Sequence, residues 1–126
     1  MRAFLLWAAL GRDEASMSGI LIVHTTCPDA ASAARIAAHL VESRLAACVQ
    51  QSGSLTSVYR WQGALESATE VALAIKTTRE RYPALEAAIR ALHPYEVPEI
   101  LATEASLGFD ASMRWVADET QPPLLA

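Results

Sequence analysis

With 126 residues, 52% of them hydrophobic and 19% charged, the chain has the length and apolar content of one domain with a buried core, which excludes disorder. A net charge of −4, nine scattered arginines and a single lysine (Lys76) leave no basic stripe, which argues against a nucleic-acid partner. No run reaches the roughly 18 continuous apolar residues of a membrane-spanning helix, and two cysteines without CxxC spacing read as reduced thiols of a cytoplasmic protein.

Residues 1–18 read as an N-terminal extension, 19–119 as the domain and 120–126 as a tail. The extension carries a short apolar stretch, Phe4 to Leu10, and Met17 lies just before the first strand as a second candidate start. Ile20 to Thr25 is a β-branched apolar run of strand length. Pro28 and Asp29 then open a helix to about Arg44, with Ile36, Leu40, Val41 and Leu45 on its apolar face.

Ala47 to Gln51 reads as a strand closed by Ser52-Gly53-Ser54. Leu55–Trp61 and Ala64–Thr78 flank Gln62-Gly63 as a hairpin. Val71, Leu73 and Ile75 alternate with Ala72 and Ala74, so both faces of that strand are dry and each calls for cover. Thr77-x-x-Glu80 fits a capping box ahead of a second helix, whose inward stripe is Leu85, Ala88, Ile89 and Leu92 and which Pro94 ends. Ile100–Thr103 reads as the fourth strand. Asp110 is placed to cap a last helix bearing Met113, Trp115 and Val116. The order β-α-β-β-α-β plus a short helix is the α+β, ferredoxin-like split βαβ: an antiparallel sheet with two helices on one face.

Three segments, "CPDAASAARIAAHLVESRLAACVQ", "SVYRWQGALESATEVALAIKTT" and "HPYEVPEI", taken together and in this spacing, resemble the CutA divalent-cation tolerance proteins from about Ile20 to Asp118. The resemblance implies a cytoplasmic homotrimer, assembled like the PII signalling proteins, that binds copper or another divalent metal and has no enzymatic activity. In copper-binding members the ligands are a cysteine near the end of the first strand, a His-His pair before Pro-Tyr, and a glutamate on the long strand. Here the last two map to His93 and Glu70, while Thr25 and Leu92 occupy the cysteine and first-histidine positions. Cys27, two residues beyond Thr25, is the substitute thiol. A set of His93, Glu70 and Cys27 without the softer ligands favours Cu(II) or Zn(II) over Cu(I).

The stretch Leu92 to Ile100, "LHPYEVPEI", has two readings: a ligand-bearing loop, or a proline-stiffened connector whose histidine bonds a helix-end carbonyl. Tyr59, Trp61, Lys76, Tyr95 and Glu99 are the residues expected at a cleft between subunits, with Lys76 paired to Glu70 or Glu99. Such a cleft could instead make the trimer a sensor of a small metabolite. An acylphosphatase-type enzyme on the same fold needs an asparagine and a phosphate loop, and the chain contains no asparagine.

Overall fold

The computed structural model describes residues 18–122; the readings placed on residues 1–16 and on the last four residues lie outside them. The element order is β1 (Ile20–Cys27), α1 (Ala30–Glu42), β2 (Cys48–Trp61), β3 (Ala64–Thr78), α2 (Tyr82–Leu92), β4 (Leu101–Glu104) and α3 (Asp110–Glu119). The strands form one antiparallel sheet in the order β2-β3-β1-β4, so β3 is inserted between β1 and β2. That is the expected split βαβ.

Alternation in β1 and β3 sorts the core. Leu21, Val23, Cys27, Val71, Leu73 and Ile75 face α1 and α2, where Ala33, Ile36, Leu40, Leu85 and Ile89 meet them with almost no exposure. The opposite face carries Ile22, His24 and Thr26 of β1 against Lys76, Ala74 and Ala72 of β3. Asp29 is the N-cap of α1 and accepts a 2.7 Å hydrogen bond from Ser32 N–H, which also holds its carboxyl below the ordinary range. Arg44, at φ 61°, turns the chain out of α1, and its guanidinium donates to the Asp118 and Gln121 carbonyls that end α3.

Several boundaries differ from the reading of the sequence. Ser52-Gly53-Ser54 does not separate two strands. The pairing steps from Gln51↔Leu73 to Ser54↔Val71, so β2 gains one residue on β3 and continues as a β-bulge. Ser52 makes this possible: its Oγ accepts the Ala72 N–H at 2.8 Å and donates to the Gly53 carbonyl. The capping box does not form, because β3 runs on through Thr77, whose hydroxyl donates to the Leu45 carbonyl at 2.6 Å. Arg81 takes the cap position of α2 instead, without a side-chain cap bond. Phe109, not Asp110, precedes α3, and only Val116 of that helix is buried. Leu92 and Trp115, at 39% and 45% exposure, stand outside the core.

The hairpin turn behaves as read. Gln62 and Gly63 both have positive φ (49° and 83°), the backbone signature of a two-residue turn matched to strand twist. β1 ends at Cys27, opposite Val71, so Ala64–Glu70 pairs with β2 alone. The hairpin thus projects as a two-stranded arm of about 23 Å, at roughly 3.3 Å per residue.

Two fully buried threonines carry opposite expectations. The Thr25 hydroxyl has no partner among the described residues, whereas that of Thr77 is bonded. Thr25→Val should therefore stabilise the fold by about 1 kcal/mol, and Thr77→Val should cost about 1–2 kcal/mol. Urea midpoints of the two variants check this. Shifts of the same sign would refute it.

Candidate functional site

The connector after α2 closes over the end of β1. Leu92 is the last helical residue because Pro94 bars the helical conformation to its predecessor, and His93 becomes an extended C-cap. The His93 ring is buried, 8% exposed. It does not bond a helix-end carbonyl, as one sequence reading had it. Nε2–H donates to the Thr26 carbonyl at 2.7 Å, and Nδ1 accepts the Tyr95 N–H at 3.0 Å. These two bonds fix the tautomer and lash the connector to β1 across 67 residues of sequence.

The lash positions Tyr95. Its ring lies 4.9 Å from that of His93, tilted by 40°, and its hydroxyl donates to Glu70 Oε2 at 2.7 Å. Glu70 is the last β3 residue of the arm before β1 joins the sheet, and it is only 7% exposed. Burial, with help from the Glu70 carboxylate, pushes the Tyr95 phenol well above its usual range, so it serves as a hydrogen-bond donor.

Between the arm and the connector lies a cavity of about 790 Å³. Tyr59 and Trp61 line it from β2, Glu70 from β3, and Tyr95, Glu96 and Glu99 from the connector. Four of the five residues expected at a cleft are therefore neighbours in one cavity. The fifth is not. Lys76 is six residues further along β3, where its Nζ donates to Gln50 Oε1 at 2.7 Å rather than pairing with Glu70 or Glu99. Paired positions put Lys76 opposite Cys48 and Ile22, on the sheet face away from the core, near its other end.

Of the metal candidates Glu70 lines the cavity, while His93 and Cys27 are not among its lining residues. β1 stays extended to Cys27, so Cys27 and Thr25 do point to the same side, into the helix-facing layer. Cys27 Sγ is 3.8 Å from His93 Nε2. Burial, then the negative charges of Asp29 and Glu70, raises the thiol pKa, which keeps the sulfur protonated and a poor metal ligand. Both His93 nitrogens are engaged, and Glu70 already accepts a phenol proton. Among the described residues no three His, Cys, Asp or Glu side chains converge on one point. In this arrangement His93, Glu70 and Cys27 do not fit a metal ion. A ligand role for them requires the lash to open.

Sequence reasoning passed over Thr26. Its carbonyl takes the His93 proton and its side chain lines the cavity. Only the parity of β1 could have flagged the side chain, since Thr26 faces away from the core between two buried neighbours.

The model of the CutA1 divalent ion tolerance protein family matches residues 21–119. The divalent-cation tolerance protein CutA of Thermus thermophilus is 43% identical over 99 residues, 79% of this chain and 96% of that protein. A CutA homolog of Xenopus laevis is 38% identical over 118 residues, covering 94% of this chain and 76% of its own. The crystal structure of CutA from Xylella fastidiosa superposes with a TM-score of 0.79 at 40% identity, covering 82% of this chain and 99% of that one. By sequence, by extent of match and by fold, the chain belongs to the CutA1 divalent ion tolerance family.

Proposed function

We propose that the protein is a cytoplasmic, non-enzymatic homotrimer that acts in divalent-cation tolerance. The observation that carries the assembly is the arm. A two-stranded ribbon is marginal by itself in water, and this one exposes Val58 (66%) and Leu65 (73%) on one face. Further copies are the natural cover for so much apolar surface on a projecting element. The cytoplasmic reading rests on Cys27 and Cys48, which are both unpaired. Light scattering on the purified chain tests the assembly: three times 13.6 kDa at low micromolar concentration is expected, and a monomer would remove the proposal's basis.

The proposed ions are Cu(II) and Zn(II), and the lash sets how they engage the chain. With the thiol buried and protonated and both ring nitrogens occupied, the ion meets surface carboxylates such as Glu96 and Glu99 before it meets His93 or Cys27. Cys27→Ser should therefore change Cu(II) and Zn(II) affinity less than about twofold, well under the 1.4 kcal/mol of a tenfold change. Titration calorimetry measures it. A tenfold loss would mean that the buried pair opens to take the metal.

A further inference from the structure

We propose that the cavity between the arm and the connector is a binding site for a small organic cation, an arylalkylammonium in chemical class. Its charge would meet Glu70, and its apolar body would lie against Tyr59, Trp61 and Tyr95.

The electrostatics point one way. Glu70, Glu96 and Glu99 line the cavity, and among the described residues no lysine, arginine or histidine does. Glu70 is the informative one. A carboxylate at 7% exposure ordinarily has a cation or several donors. Here Oε2 receives the Tyr95 hydroxyl, and no salt bridge among the described residues reaches either oxygen. The phenol is held protonated, so it adds no competing charge. One further positive donor would complete the group.

The walls select the kind of cation. A hard divalent ion such as Mg(II) or Ca(II) asks for about six oxygen ligands in close array, and among the described residues no three His, Cys, Asp or Glu side chains converge for a softer one, whereas much of this wall is aromatic. Aromatic faces attract an ammonium through their quadrupoles and stack against a second ring. The cavity's 790 Å³ falls inside the roughly 300–1,000 Å³ of small-molecule sites. The net charge of −4 adds a general pull on cations. Unlike the function proposed above, this site involves no metal and uses neither His93 nor Cys27 as a ligand.

The test is titration calorimetry on the full chain, in phosphate buffer with EDTA so that divalent ions play no part. Three probes of one shape differ in charge: phenethylammonium, neutral 2-phenylethanol and anionic phenylacetate. Phenethylammonium should saturate one site per chain at least tenfold more tightly than the alcohol, and phenylacetate should not bind. Glu70→Gln retains an acceptor for Tyr95 while removing the charge, and should bring the ammonium down to the level of the alcohol. Trp61→Leu should weaken both of these probes. The molecular mass of each variant is measured alongside, so that loss of assembly is not read as loss of a site. Equal binding of ammonium and alcohol, an unchanged Glu70→Gln variant, or no binding by the intact assembly would each overturn the proposal. The last outcome would mean that a second copy fills the cavity. Because EDTA is present, failure here leaves the metal reading untouched.

Discussion

Replacing Val58 and Leu65 together by glutamate should convert the proposed trimer to monomers at micromolar concentration. The register puts Val58 opposite Ser67 and Leu65 opposite Arg60, so the two side chains are diagonal neighbours on one face of the arm. They are also among the most exposed apolar residues of the molecule. In a single copy the substitutions touch no core residue and should leave the body's circular dichroism unchanged. In an interface of standard size, about 1,600 Å², each buried and unpaired carboxylate costs about 3–5 kcal/mol. One such term already weakens association by a factor of several hundred, at 1.4 kcal/mol per tenfold. Sedimentation velocity across a concentration series reads the result. A variant that still runs at the wild-type mass would show that the arm is not the contact.

The second large effect is expected at His93. Truncation to alanine removes a buried ring and leaves two backbone groups, the Thr26 carbonyl and the Tyr95 N–H, without their partners. Each such group costs about 1–3 kcal/mol, and water entering from the cavity returns part of it, so the variant should lose about 2–4 kcal/mol. The measurement is urea unfolding with EDTA present throughout. That condition separates two roles of the histidine. A lash loses stability without any metal, while a ligand that does no more than coordinate loses metal affinity and keeps its metal-free stability. A shift below about 0.5 kcal/mol in EDTA would remove the lash from the account.

Much of the architecture was legible because it is written in local alternation. Val71, Leu73 and Ile75 at period two, the apolar helical stripe of Ile36 and Leu40, and the Gln62-Gly63 turn each specify their element within a few residues. The misreadings have local causes as well. Ser-Gly-Ser has the composition of a turn, and nothing in it reveals that the Ser52 hydroxyl can stand in for a ladder bond to Ala72. Thr77-x-x-Glu80 has the letters of a capping box, but Thr77 is bound to Leu45, 32 residues away, before any helix begins. Of the site, the sequence singled out Tyr59, Trp61, Tyr95 and Glu99 for a cleft between subunits, and in the single chain they line one cavity. What holds the site in shape was not visible. His93 is anchored by a main-chain carbonyl, and every residue type carries the same carbonyl.

The bulge in β2 also has a consequence for how the protein can change. Before it, Cys48 and Gln50 share a side of the sheet with Lys76 and Ala74; after it, Leu55, Ser57, Tyr59 and Trp61 share that side with Glu70. The bulge shifts the parity of the strand: if the same residues ran on from Gln51 in unbroken register, Val58 and Arg60 would stand where Tyr59 and Trp61 now do. Loss of one codon at Gly53 would remove the bulge and leave the arm in its present register with β3, which the Gln62-Gly63 turn fixes. The bulge is therefore a slack point in the strand: a one-residue loss there is absorbed without exchanging the arm's inner surface for its outer one.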